Sequence, residues 1–273
     1  MLTLTFAFDP IIAQIGPFQL GWHGLFTALA VAVGLWLAGR LARQRGIPSD
    51  LVSGVALWAV VGGVIGARLF HVLDHLPFYL QNPLLIPAVW EGGIAVYGAF
   101  IGGLLAGGIA AWRARADVWQ LLDIAAPSML VGQAIGRCGC LANGDAWGAD
   151  ATGCPLCLAI RYTHQNDLLP ANLKGVPTYA YPAYEIAAEL VLLGVLWIFR
   201  AQLRERPGLG FLIAALGYAA IRFVLTFLRQ ETVIVLGLQE AQVIAVLTGL
   251  LALGLLAWRH FGLGRRLRSL PAV

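Results

Sequence analysis

The chain has 273 residues, 59% hydrophobic and only 12% charged, with a mean hydropathy of +0.78 and a formal net charge of +4. A soluble globular domain carries about a quarter charged residues, so this composition excludes that class and indicates a polytopic membrane protein with one membrane domain. The positive balance requires no nucleic-acid partner, because the positions of the basic residues account for it.

Seven apolar segments succeed one another, at about 18–39, 51–73, 93–112, 119–141, 183–200, 208–228 and 238–258. Each is near the ~20 residues that carry a helix across the hydrocarbon core, so the expected fold is all-α with seven transmembrane helices. No basic residue precedes segment 1, which is expected to insert and stay rather than to be cleaved as a signal peptide. Arg40, Arg43 and Arg45 follow segment 1, and Arg113 and Arg115 follow segment 3. Arg200, Arg204 and Arg206 follow segment 5, and Arg259, Arg265, Arg266 and Arg268 follow segment 7. Basic residues thus mark every second connection, and the positive-inside rule makes that side cytoplasmic. The N-terminus is expected outside and the C-terminus inside. Trp22, Trp90 and Trp147 suit an outer interfacial belt, and Trp112, Trp119, Trp197 and Trp258 an inner one.

Two stretches between the segments stand apart. Residues 76–90, LPFYLQNPLLIPAVW, hold three prolines; they are too broken to span and too apolar to float free. They read as an external arm in the interface. Residues 142–182 are the polar stretch, with turn signals in NGD, CPLC and GVPT, and are expected to form an external head segment of short strands or loops.

The six remaining basic residues all fall on the outer half. Arg161 and Lys174 lie in the head segment. Arg68 sits about five residues from the outer end of segment 2, so ~7–8 Å below the edge, and Arg222 lies at similar depth in segment 6. Arg137 is near the outer end of segment 4 and Arg229 at the rim of segment 6. Each arginine on its own would snorkel or pair with Glu91, Asp145 or Glu185. Four at one depth favour a shared anion site. Segments 1, 3, 5 and 7 begin outside, so their helix N-termini face the same layer, and Gly92-Gly93 opens segment 3. The abundant anion there is a phospholipid phosphate.

The stretch Gly132–Gly148, GQAIGRCGCLANGDAWG, forms the floor of that site. It sets Arg137, Asn143 and Asp145 among glycines that let backbone and ligand approach closely. The four cysteines, Cys138, Cys140, Cys154 and Cys157, lie at or beyond the outer end of segment 4. Disulfides, free thiols and a zinc site are all compatible with an even count in an oxidising location. No metal or other cofactor is expected.

GRCGCLANGDAWG resembles the signature of the prolipoprotein diacylglyceryl transferases, roughly G-R-x-G-N-F-x-N-x-E-x-x-G. Other pieces match in order: GWHG before segment 1, GARL in segment 2, WEGGIAVYGAFIG at segment 3, DIAAP before the signature, PAYE opening segment 5 and IRFVLTFLRQ closing segment 6. The resemblance covers nearly the whole chain. It implies transfer of the diacylglyceryl group of phosphatidylglycerol to the lipobox cysteine thiol of a preprolipoprotein. That reaction takes place at the outer leaflet of the bacterial cytoplasmic membrane. Arg137 and Arg222 match the family's key arginines, and Arg229 a further one; Asn143 and Asp145 match the Asn and Glu of the signature. With Arg68, Gly98 and Gly148 these residues are expected to bind lipid.

Departures from the family are as informative. Tyr97 stands where the family has its catalytic His, His23 where it has Tyr, and Cys140-Leu141 where the signature has N-F. One reading is that His23 and Tyr97 face each other and have traded roles, His23 becoming the base and Tyr97 orienting substrate. The other is that His23 anchors at the interface and Tyr97 packs. Cys140 is either a local thiol that carries a group or a disulfide partner of Cys154 or Cys157. Three further functional readings are a paralogue acting on another acceptor, a phospholipid-binding protein that lost catalysis, and a thiol–disulfide protein using CPLC.

Overall fold

The computed structural model describes residues 2–16, 18–88, 93, 95–230 and 233–268. Lipid offers no hydrogen bonds to the backbone, so apolar spans close their own as helices. The chain runs β1 (Leu2–Phe6), β2 (Ile11–Ile15), β3 (Phe18–Gly21), α1 (Trp22–Gln44), α2 (Ser49–Asp74), α3 (Leu76–Gln81), α4 (Val96–Arg113) and α5 (Val118–Asn143). It continues with β4 (Leu158–Tyr162), β5 (Thr178–Tyr179), α6 (Tyr181–Ile198), α7 (Arg200–Arg204), α8 (Leu209–Thr226), β6 (Val233–Val235), β7 (Leu238–Gln239) and α9 (Glu240–Arg268). Among the described residues six helices, α1, α2, α5, α6, α8 and α9, are long and apolar enough to cross a membrane. The expected third segment coincides with α4, whose described apolar part, Gly98–Arg113, is shorter. The protein is therefore mostly helical and polytopic. The expectation of an all-α chain is amended by three small sheets among the described residues.

Two compact units are formed, residues 1–34 with 125–273, and residues 35–124. In the first, β1 pairs parallel with β4, and β4 antiparallel with β5. Residues ahead of the first span thus join the head segment, a partner that hydropathy does not reveal. Ile160, Tyr162, Leu169, Leu173 and Ala180 form the buried core of the head. Burial holds the Tyr162 phenol protonated, and its hydroxyl donates to the Leu141 carbonyl at 2.8 Å. The Tyr184 hydroxyl donates to Leu158 O at 3.0 Å and accepts from Leu158 N at 2.8 Å. The head is thereby tied to the end of α5 and the start of α6. Within the same unit α5 lies close against α1: a Cβ on Gly139 would stand 3.0 Å from His23 Cα and 3.1 Å from Phe26 Cβ.

In the second unit α2 and α4 meet through glycines. Gly62 and Gly66 on one helix face Gly98 and Gly102 on the other, each so close that a Cβ would overlap the opposing backbone carbonyl. Helices in lipid associate by such close backbone approach, because apolar burial alone offers little gain there. Gly98, expected to touch lipid, is instead committed to this seam; with no side chain it is what allows α4 to reach Gly66 and Phe70. Gly98→Val is expected to cost about 1–3 kcal/mol or more by overpacking. Gly108→Ala, whose Cβ would meet nothing within 4 Å, is expected to leave stability nearly unchanged. Thermal unfolding in detergent checks both.

Arg68 also differs from expectation. Its side chain is 6% exposed. Nε donates to Ile86 O at 2.7 Å, Nη1 to Gly93 O at 2.9 Å and Nη2 to Leu85 O, and the guanidinium lies over the Tyr79 ring. A buried guanidinium must use its donors, and here they hold the connection after α3 rather than wait for a phosphate. That connection, α3 and a 3-10 turn at Pro83–Leu85, occupies the stretch expected as an interfacial arm. Trp90 and Glu91 lie outside the described residues.

Candidate active site

The site lies within the first unit and is built around a carboxylate that the sequence reading treated only as an ion-pair partner. Glu185, one turn into α6, is fully buried. Arg137, in the last two turns of α5, meets it two-fold: Nη2 donates to Oε1 at 2.9 Å and Nε lies 2.8 Å from Oε2. Arg222, near the end of α8, brings Nη1 to 3.3 Å from Oε1. Two arginines from separate spans thus share one carboxylate. The planar fork of Arg137 suits this two-point grip.

Tyr181, also fully buried, organises the other side. Its hydroxyl accepts a short hydrogen bond from Arg222 Nη1. The Arg229 guanidinium stacks 4.9 Å from its ring centre, and that of Arg222 lies 5.7 Å away. Both contacts place a cation over an aromatic face. The end of α8 that carries these arginines is pinned by two glutamines. Gln239 Nε2 donates to Thr226 O and Arg229 O at 3.3 and 3.2 Å, and Gln242 Nε2 to Phe223 O at 3.4 Å. Carbonyls at a helix end lack internal partners, and these amides supply them. Arg137 and Arg222 thus share Glu185, and Arg229 joins them over the Tyr181 ring. Glu189, one turn further along α6, is 1% exposed, and neither of its oxygens has a hydrogen-bond partner among the described residues.

A second cluster adjoins the first through Cys140. Arg137 Nη1 lies 3.9 Å from Cys140 Sγ, and that sulfur is 4.0 Å from His23 Nδ1. The same nitrogen is 3.1 Å from Asp145 Oδ2. Asn143 Nδ2 also donates to Oδ2, at 3.1 Å. Burial pushes the Asp145 carboxyl up, but the hydrogen bonds from His23 and Asn143 outweigh it and hold the group below its usual range. Gly144, at φ +71°, makes the turn that folds Asp145 back toward α5; a side chain there would be strained.

Several expected roles change. Asn143 orients Asp145 through its amide. Gly148, expected to bind lipid, is occupied in packing: a Cβ would stand 2.6 Å from Tyr179 Cβ and O, because the backbone of Ala149 pairs with both Tyr179 and Leu228. Cys154 and Cys157 form a disulfide. Cys138 and Cys140 are free thiols, so the disulfide offered for them is corrected. Both sit on α5, two and four residues before the head begins, and the head pair closes locally within its own turn. The Tyr97 side chain lies outside the described residues. Sequence reasoning missed Tyr181 and the central place of Glu185. The available signal was PAYE, an acidic residue set inside an apolar span.

Fold and site together define a polytopic membrane protein in which Arg137 and Arg222 meet on one buried carboxylate. The family model for prolipoprotein diacylglyceryl transferase matches residues 10–258. The chain is 35% identical over 258 residues to the phosphatidylglycerol–prolipoprotein diacylglyceryl transferase of Thermosynechococcus vestitus, with 94% of each chain covered. It is 37% identical over 281 residues to the protein so named from Nostoc sp., covering 100% of this chain and 96% of the relative. With that of Symbiobacterium thermophilum it shares 32% over 252 residues, 92% of each. The chain belongs to the prolipoprotein diacylglyceryl transferase family.

Proposed function

We propose that the protein transfers the diacylglyceryl group of phosphatidylglycerol to the lipobox cysteine thiol of a preprolipoprotein, forming a thioether and releasing glycerol phosphate. Relatives of that name across almost the whole chain support this, as does the convergence of Arg137 and Arg222 on Glu185. The single observation that carries it is this arginine pair. The lipid phosphate brings one negative charge, and the leaving glycerol phosphate gains another as the C–O bond breaks. Guanidinium donors already in place stabilise that growing charge without reorganisation. Arg229 adds a third cation at the rim.

The acceptor thiol must become a thiolate to attack. In this reading the thiol enters beside His23, which takes its proton, while Asp145 fixes the imidazole and stabilises the imidazolium. The protein spans the cytoplasmic membrane seven times, α4 being the additional crossing. Arginines on alternate connections set the N-terminus and the site toward the outer leaflet. The 76–90 arm and the head segment lie at that interface.

Incubating the purified chain with phosphatidylglycerol and a lipobox peptide, then seeking the thioether by mass spectrometry, tests the reading; bound phospholipid with no thioether rejects it. His23→Ala is expected to lower turnover about 10²–10⁴-fold, the worth of a positioned acid–base group. Unchanged turnover would remove His23 from the chemistry.

A further inference from the structure

His23, Cys140 and Asp145 come from three separate places: the first turn of α1, the last turn of α5 and the loop beyond it. Their ligand-capable atoms nevertheless all lie within 4.8 Å of one another. The same His23 nitrogen faces both partners, Cys140 Sγ at 4.0 Å and Asp145 Oδ2 at 3.1 Å. A linear nucleophile–base–carboxylate relay would use the two ring nitrogens separately. Three donors aimed at one point is instead the geometry of a metal site. Tetrahedral zinc with its usual bond lengths sets N, O and S ligands about 3.4–3.6 Å apart, and the His23–Asp145 and His23–Cys140 distances of 3.1 and 4.0 Å fall on either side of that spacing. Asp145 Oδ1 is a second sign: it is buried with no hydrogen-bond partner among the described residues, and a buried carboxylate oxygen without a donor calls for one. Asn143 holds Asp145 from outside the cluster, as outer partners hold metal ligands. One thiolate and one carboxylate neutralise a divalent ion, and Glu185 already answers Arg137.

We propose that His23, Cys140 and Asp145 bind a zinc-type divalent ion whose open fourth position takes the thiolate of the acceptor cysteine. The proposal rests on the transferase reading for the identity of that thiol. Three protein ligands and one open position are the pattern of catalytic rather than structural zinc, and a coordinated thiol is deprotonated outright. Where the ion is bound, His23 serves as its ligand in place of the base of the metal-free reading, and the acceptor S–H proton passes to water at the partly exposed cluster. The sulfur lone pair forms the C–S bond at the glyceryl methylene. The C–O bond to phosphate breaks, and its electron pair leaves with glycerol phosphate between Arg137 and Arg222. The metal changes no oxidation state. The product thioether carries no charge and is a poor ligand, which frees the site.

The test uses the full-length chain in detergent, its purification tag removed, titrated with cobalt(II) alone. The expected result is about one ion per chain, with a thiolate-to-cobalt charge-transfer band that persists in Cys138→Ala and vanishes in Cys140→Ser. Adding lipobox peptide without lipid is expected to strengthen the band as a second thiolate joins. No charge-transfer band in the unsubstituted chain, or a band that survives Cys140→Ser, overturns the proposal. Chelator-stripped protein that forms thioether as fast as zinc-loaded protein also overturns it, while leaving the transferase reading intact. A normal cobalt site that responds to peptide, with no thioether from phosphatidylglycerol, supports the site and rejects the transferase reading.

Discussion

Arg137→Ala is expected to reduce diacylglyceryl transfer by about 10²–10³-fold or more, the range found when one preorganised donor to a developing oxyanion is removed. The reason is its position. Arg137 is the residue that touches both clusters, gripping Glu185 at 2.8 and 2.9 Å and facing Cys140 Sγ at 3.9 Å. Arg137→Lys keeps the charge but loses the planar fork, and a point charge cannot make the two-point grip. Lysine is therefore expected to recover only a small part of the lost rate. Thioether yield by mass spectrometry checks the pair. A lysine variant with full activity would show that charge alone suffices at this position.

Glu185 offers the second large effect, in which stability and ligand response move in opposite directions. Glu185→Ala takes the shared carboxylate from between Arg137 and Arg222 and leaves two buried cations facing each other. Breaking a buried ion pair on one side costs about 3–5 kcal/mol, and a lower thermal midpoint in detergent is the expected reading. Glu185→Gln keeps the shape and an acceptor oxygen but loses the charge. The lipid-free protein is then expected to be less stable than the parent, because the arginines have lost their counter-charge. Phosphatidylglycerol supplies a replacement, so the stabilisation it confers should be larger in Glu185→Gln than in the parent. A ligand that binds the folded state more tightly raises the midpoint more at a given concentration. An equal or smaller lipid-induced shift would mean that the phosphate does not bind between these two arginines.

The two variants also separate the roles of the neighbouring groups. Tyr181 holds Arg222 by its hydroxyl and Arg229 by its ring face, so part of the arginine geometry survives loss of Glu185. Gln239 at the end of β7 and Gln242 in the first turn of α9 pin the α8 end independently. The damage from Glu185→Gln is therefore expected to be electrostatic rather than a collapse of the helix end.

The sequence by itself determined the solvent of this protein and the approximate places of its spans. Six segments became helices long and apolar enough to cross a membrane, because lipid leaves an apolar stretch no other way to close its backbone hydrogen bonds. That Arg137 and Arg222 must each find a partner was legible too, because a cation in a span needs one worth its desolvation. Tertiary structure alone decided which partner. Arg68 looked equivalent by depth and composition, yet three carbonyls of the following connection took its donors. Gly98 and Gly148 sat in matching motifs, yet their missing side chains serve helix and loop packing. Glu185 became the shared centre because the last turns of α5 and α8 meet the first turns of α6. His23 reached Cys140 because Gly139 lets α1 approach α5. Hydropathy and charge report what each residue costs in lipid, one position at a time. Which groups satisfy one another depends on which helices touch, and that information resides in the packing.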